Sequence, residues 1–144
     1  MKLTIPIAPL GAVRMTAGMV KRIRFKLYKP GEKKVENVIR YLSYKEQISW
    51  AAKDHYKGEP MTGPIELNPI FYMPMPASWS EKKKQRMEGK PHTTRPDRDN
   101  LEKGLCDALN KIVWKDDGQI CDGRTRKFYS REPRIEFEVK EMGA

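Results

Sequence analysis

Residues 95–122 combine an amphipathic helix pattern with two pairs of aspartates, and this combination constrains the fold more than any other part of the chain. Asp97 and Asp99 stand two residues apart where the helix pattern begins. Asp116 and Asp117 follow shortly after it ends, directly before a glycine, which is typical of a turn. The apolar side chains on one arc of the helix are Leu101, Leu105, Ala108, Leu109 and Ile112. The pattern therefore predicts a helix packed on a core and then a change of direction.

Individual residues of this helix carry further predictions. Asp99 is expected to be the N-cap, with Glu102 three residues later in the position of a capping box. Lys103 and Asp107 share the polar arc with Asp99. Gly104 in mid-helix costs up to ~1 kcal/mol relative to alanine, so we expect a neighbouring backbone in close approach.

The two aspartate pairs meet if the chain folds back after the helix. Converging carboxylates repel one another and raise their pKa above the usual value of about 4. A hard divalent cation removes this penalty because Mg²⁺ prefers oxygen ligands. Each acid also has an ordinary explanation, as a turn residue at Asp97, a cap at Asp99, and a turn at Asp116 and Asp117. The residues alone thus allow a metal-dependent catalytic site or a set of caps and turns in a non-catalytic protein.

The charge of the whole chain favours a polyanionic partner. The sequence has 29 Lys and Arg against 19 Asp and Glu, a formal net charge of +10. Two basic segments, an arm at 8–36 and an insertion at 74–94, are expected to bind phosphates or to be solvated. Phe25 and Tyr28 could stack on unpaired bases, and 20–28 could pair as a short ribbon. The candidate DNA-binding residues are Arg22, Arg24, Lys26, Lys82, Lys83, Lys84, Arg98, Arg124, Arg126 and Lys127.

Hydrophobic patterns elsewhere predict one α+β domain over 1–144, a small mixed sheet with two main helices. The predicted order is strand 2–7, helix 38–56, strand 63–73, the helix described above, strand 119–129 and strand 134–140. A short helix ending at Met87, capped by Ser78 or Ser80, lies within the basic insertion.

Four residues carry separate expectations. Trp50 is expected in the core, and Pro69 argues against a fully paired central position for its strand. Cys106 and Cys121 are expected to be buried, reduced thiols, which favours a cytoplasmic protein. The N-terminus has no signal-peptide pattern, and no run reaches the ~18 apolar residues that would indicate a membrane span.

Three stretches, 95–103, 107–110 and 114–120, read Arg-Pro-Asp-Arg-Asp-Asn-Leu-Glu-Lys, Asp-Ala-Leu-Asn and Trp-Lys-Asp-Asp-Gly-Gln-Ile. Together they resemble the signature of the RusA-type endodeoxyribonucleases, the small Holliday junction resolvases of bacteria and their prophages. The resemblance implies a dimeric α+β fold and a role in DNA recombination and repair. It also implies Mg²⁺-dependent cleavage of four-way DNA junctions by symmetric nicks, with Mn²⁺ as an alternative cation.

The resemblance also implies roles for individual residues. It places metal ligands at Asp97, Asp99 and Asp117, with Asp116 as a substitute for the last, and an important lysine at Lys103. A four-way junction has near-twofold symmetry, so a twofold homodimer suits two opposed nicks. A nuclease for flaps or other branched DNA, and a non-catalytic nucleic-acid-binding protein, remain the alternatives.

Overall fold

A computed structural model describes residues 1–143, in which four helices and five strands form one α+β unit. The strands are β1 (Lys2–Ile5), β2 (Ile65–Met73), β3 (Ile120–Asp122), β4 (Arg126–Tyr129) and β5 (Arg134–Glu141). The helices are α1 (Ala17–Arg24), α2 (Lys33–His55), α3 (Glu81–Met87) and α4 (Arg98–Leu109). The α+β class is confirmed, and the predicted order of elements is approximate because α1 was not expected and the predicted strand 119–129 is two strands, β3 and β4.

The sheet is mixed and runs in the order β1-β5-β2-β3, with β4 also paired to β2. β5 pairs antiparallel with β1 and β2, whereas β3 and β4 pair parallel with β2. β2 is therefore central, but it is not fully paired at Pro69, which agrees with the expectation drawn from this proline. Pro69 lies between Glu66, where the β3 pairing ends, and Ile70, where the β4 pairing begins, so the parallel ladder is already interrupted there.

The predicted strand 119–129 is two strands, β3 and β4, with residues 123–125 between them. Gly123 has a φ of +132°, and a Cβ at this position would lie 1.8 Å from the carbonyl oxygen of Leu67. The next residue, Arg124, donates its backbone N–H to the Asn68 side-chain oxygen at 2.9 Å. The close approach of β2 and the left-handed backbone both require glycine directly after β3.

Helices α2 and α4 cover one face of the sheet and enclose the core. Ser49 on α2 donates its hydroxyl to the Ala108 carbonyl of α4 at 2.8 Å. A Cβ on Gly104 would lie 3.2 Å from the Tyr41 hydroxyl, so the close neighbour of this glycine is a side chain rather than a backbone. Trp50 is 61% exposed on α2, which contradicts its expected place in the core. The largest fully buried side chains include Trp114, Tyr41, Phe71, Ile48, Ile65, Leu67, Leu101, Leu105 and Leu109.

The basic arm at 8–36 contains helix α1 and the start of α2, not the ribbon expected at 20–28. The Thr16 hydroxyl caps α1 by accepting a hydrogen bond from the Met19 N–H at 3.1 Å. The sequence missed this helix because none of its residues is buried, so it has no apolar stripe that packs on the core.

The basic insertion at 74–94 contains α3, and Ser80 caps it by accepting from the Lys83 N–H at 3.2 Å, as predicted for one of the two serines. Aromatic contacts attach the insertion to the sheet. The rings of Trp79 and His92 lie 5.1 and 4.7 Å from that of Tyr129.

The two cysteines differ in burial. Cys106 is buried on α4, and burial raises the pKa of its thiol well above the usual range. Cys121 is exposed at the edge strand, so its expected burial is wrong.

No helix within residues 1–143 has the length and apolar character that crossing a bilayer requires.

Candidate active site

The first acid pair lies at the start of α4. Asp97 occupies the N-cap position that was expected for Asp99, and Asp99 lies in the first turn. The Asp97 carboxylate makes no capping hydrogen bond, and across residues 1–143 neither acid forms a side-chain hydrogen bond or an ion pair. Both side chains are exposed. Burial lowers the pKa of the nearby Lys127, and the negative charge of Asp97 opposes that effect. The start of α4 therefore presents unengaged carboxylates.

The loop that carries Asp97 is held against β4 by two cations. The Lys127 ammonium donates to the carbonyl groups of Thr94 and Pro96 at 2.5 and 2.7 Å. Arg98 donates from its guanidinium to the Thr125 carbonyl at 3.2 Å. Both residues were predicted to contact DNA. Their hydrogen bonds hold the acidic loop in place. Fewer of their N–H donors are therefore available to bind a DNA phosphate.

The second acid pair follows α4 in a 3-10 turn, Asp117–Gln119. The Trp114 indole, which is fully buried, donates to the Asp117 carboxylate at 2.7 Å. Asp116 accepts from the Gly118 N–H at 3.0 Å, and its own N–H donates to the Gln119 side chain at 2.8 Å. Asp116 is therefore engaged as the cap of this turn. Asp117 has one oxygen fixed by the core and is half-buried.

Burial raises the pKa of Asp117, and the hydrogen bond from Trp114 opposes that rise. The negative charges of Asp107 and Asp116 raise it further. The acid of α4 that acts on Asp117 is thus Asp107, a residue that the sequence placed on the polar arc without a catalytic role.

The two groups of acids lie toward opposite ends of α4. Eight residues separate Asp99 from Asp107, which corresponds to about 12 Å along a helix. Within residues 1–143, no three His, Cys, Asp or Glu side chains lie close enough together to hold a metal ion. The expectation that the two aspartate pairs meet is therefore not met within one chain.

Lys103 lies between these groups, one turn after Asp99 and one turn before Asp107. With Asn100 and Asp107 it lines a cavity of about 400 Å³. The cavity is lined by residues 12–15, α2 and α4, and its other side chains include two cations that sequence reasoning missed, Arg14 and Lys45. The spacing of Asn100, Lys103 and Asp107 along one helix face could have indicated their shared surface. No sequence signal connects Arg14 or Lys45 to them, because these residues come from other elements.

The other predicted DNA-binding residues differ in whether their charged groups already contact another side chain. Arg22 forms an ion pair with Glu32 at 2.8 Å. The Lys83 ammonium lies 4.4 Å from the centre of the Trp79 ring. The predicted cations that are exposed and form no ion pair within residues 1–143 are Arg24, Lys26, Lys82, Arg124 and Arg126.

A small α+β domain with exposed carboxylates at the start of one helix, and a basic surface around them, fits the class of enzymes that act on nucleic acids. The chain belongs to the endodeoxyribonuclease RusA family, whose model matches residues 6–140. It is also similar to the uncharacterized protein YqaN of Bacillus subtilis (strain 168), with 39% identity over 105 residues that cover 70% of this chain and 74% of that protein. The family confirms the resemblance of the sequence motifs and implies nuclease activity on Holliday junctions.

Proposed function

We propose that this protein is a Mg²⁺-dependent, structure-selective endonuclease that resolves four-way DNA junctions by paired, symmetric nicks in DNA recombination and repair. The observation that carries the proposal is the state of Asp97, which stands at a helix N-cap without capping the helix. An N-cap aspartate normally accepts a hydrogen bond from the first turn. Here the carboxylate is left available beside Asp99, in a protein of the RusA family with a formal net charge of +10.

The donor set fits a hard divalent cation. Asp97 and Asp99 would hold Mg²⁺ or Mn²⁺, because the ion takes oxygen ligands and is commonly bound through one or two carboxylates with water and phosphate. When bound, the ion supplies positive charge to the scissile phosphate and a more acidic water molecule. Lys103 holds its ammonium one helical turn from Asp99, where it attracts a phosphate oxygen or orients the attacking water. Arg14 and Lys45 line the same cavity and add positive charge for the DNA backbone.

We assign the third ligand to Asp117 in preference to Asp116. Asp116 uses a carboxylate oxygen to cap its own turn, whereas Asp117 is oriented by the buried Trp114, and its second oxygen accepts no hydrogen bond from residues 1–143. Asp117 lies with Asp107 toward the other end of α4 from Asp97. One ion can bind both groups if two protomers pack with α4 of one against the acidic turn of the other. We therefore propose a twofold homodimer in which each protomer completes the site of its partner.

The direct test is cleavage of a synthetic four-way junction by the purified protein. We expect nicks with Mg²⁺, none with a chelator, and slower cleavage of flap and duplex substrates. Asp99→Asn should abolish cleavage while circular dichroism and thermal stability stay unchanged. Asp54→Asn, at an exposed acid on α2, is the matched control and should cleave as the unmodified protein does.

Binding gives a second readout of the same site. Asp97→Asn should bind the junction at least as tightly as the unmodified protein in metal-free buffer, because it removes a negative charge beside a phosphate. Cleavage by a folded Asp99→Asn variant would show that the ligand assignment is wrong. Markedly weaker metal-free binding by Asp97→Asn would contradict the electrostatic account.

A further inference from the structure

The chain exposes two large apolar side chains at the tip that follows α1. Phe25 is 58% exposed and Leu27 is 63% exposed, and Lys26 stands between them with a φ of +55°. Within residues 1–143, the other exposed large apolar side chains are Trp50 and Met142. Contact of these two apolar side chains with water is unfavourable compared with their burial in a core. We therefore expect the tip to bind an apolar partner.

The backbone of the tip is well ordered by its own hydrogen bonds. Its three N–H groups donate to carbonyl groups in the last turns of α1, Phe25 to Lys21 at 3.1 Å, Lys26 to Ile23 at 3.1 Å and Leu27 to Arg22 at 2.7 Å. The Arg22 guanidinium also donates to the Leu27 carbonyl at 3.2 Å, and Glu32 holds that guanidinium from the other side. Because the backbone is satisfied, the two apolar side chains are displayed outward by a built structure.

The positive charge around the tip indicates a negatively charged partner. Residues 14–34 contain eight Lys and Arg against one acid, Glu32. The exposed cations nearest in sequence to the tip form no ion pair within residues 1–143, and they are Lys21, Arg24, Lys26 and Lys29. A second copy of this chain that met the tip with its own tip would bring an equal positive charge and repel it. A polyanion with apolar surface satisfies both features, and DNA has charged phosphates beside the flat, apolar faces of its bases.

The kind of DNA follows from where base faces are accessible. In an uninterrupted duplex each base face is covered by its neighbour, so insertion costs a few kcal/mol per step. At a branch point, stacking is already interrupted, and an inserted side chain replaces a missing neighbour. We propose that Phe25 and Leu27 insert at the centre of a four-way junction and cover the faces of unstacked bases, while Arg24 and Lys26 bind the adjacent phosphates. The inference rests on the proposed function and adds a structural reason for junction selectivity.

The test compares three proteins: the unmodified chain, a Phe25→Ser and Leu27→Ser double variant, and Trp50→Ser as a matched control. Trp50 is as exposed as the tip residues but lies outside the basic arm. Each protein is titrated, in buffer with a chelator to prevent cleavage, onto a four-way junction and a duplex. The junction carries 2-aminopurine at the branch point, and the fluorescence of this base rises when its stacking is lost.

We expect the unmodified protein and Trp50→Ser to lower the fluorescence of the junction, because an inserted side chain covers the face of the unstacked base. The double variant should lose most of this decrease and bind the junction about tenfold more weakly, since base stacking on a side chain contributes on that order. Its duplex affinity should change by less than about twofold, because the cations remain. An equal fluorescence decrease by the double variant, or an equal loss of affinity for both DNAs, would overturn the inference. So would a change of its mass in solution, which would make the tip a contact between copies.

The nicking assay separates failure of this inference from failure of the proposed function. If the unmodified protein resolves junctions and the double variant resolves them with the same rate and selectivity, the tip has no such role and the endonuclease proposal stands. If the unmodified protein nicks no branched DNA with Mg²⁺, the proposed function fails whatever the tip does.

Discussion

A composite site shared by two protomers makes a prediction that separates it from a site within one chain. Oxygens that bind the same Mg²⁺ lie within about 4 Å of one another. Within residues 1–143, no three His, Cys, Asp or Glu side chains lie close enough together to hold one ion, so Asp97, Asp99 and Asp117 do not form such a site within one chain. Asp97→Asn and Asp117→Asn should each inactivate a homodimer. A heterodimer that carries one substitution in each protomer has both lesions in one composite site and leaves the other site intact.

The expected magnitude follows from counting sites. The purified Asp97→Asn/Asp117→Asn heterodimer keeps one of two sites, so its nicking rate should be about half that of the unmodified dimer. Its products should be single nicks instead of paired ones. Differently tagged chains are co-expressed, the heterodimer is isolated through both tags, and nicks in a four-way junction are counted on a denaturing gel.

The matched control is an Asp97→Asn/Asp99→Asn heterodimer. Its two lesions affect the same end of α4 in different protomers, so both composite sites are damaged and no activity should remain. If the Asp97→Asn/Asp117→Asn heterodimer is as inactive as this control, each protomer uses its own acids, and the composite site is refuted. A monomeric mass for the unmodified protein would refute it as well.

Three further changes have outcomes that follow from single residues. Lys103→Gln should lower the cleavage rate by about 100-fold or more, with junction affinity changed by less than about tenfold, because the ammonium acts mainly on the transition state. Gly123→Ala should lower the free energy of unfolding, measured with urea, by more than ~2 kcal/mol, because its Cβ would overlap a carbonyl of β2. In native protein, a thiol reagent should modify the exposed Cys121 quickly and Cys106 slowly, because burial both covers the Cys106 thiol and raises its pKa.

Each of these outcomes has a control. Gly31 also has a positive φ, but no atom of residues 1–143 outside its chain neighbours lies within 4 Å of the Cβ that alanine would add, so Gly31→Ala should cost only ~1 kcal/mol. An equal loss at both glycines would mean that the clash at Gly123 is relieved at little cost. Equal weakening of junction binding and cleavage by Lys103→Gln would make this lysine a phosphate contact only. Fast modification of both thiols would contradict the burial of Cys106.

Elements with a strong apolar period were predictable from the sequence. The pattern over α4 and the alternation in β2 and β5 identified side chains that are buried, because a helix or strand that packs on a core repeats its apolar residues with a fixed period. Helix α1 was missed for the same reason, since none of its residues is buried. Trp50 was misplaced because an aromatic residue within a helical pattern does not reveal which way its side chain points.

The sequence by itself determined which chemical groups are available for function in this protein. The acids around α4, the lysine one turn after Asp99 and the basic surplus are readable because their spacing is local, and they were sufficient to suggest the family. Only the tertiary structure decided how these groups are arranged. Helix α4 lies between the acids that precede it and the acids that follow it, and it rises about 1.5 Å per residue. The two acid pairs are close in the sequence, but the rigid helix separates them within one chain. Packing likewise added Arg14 and Lys45 to the cavity of Lys103, because contacts between separate elements leave no periodic trace in the sequence.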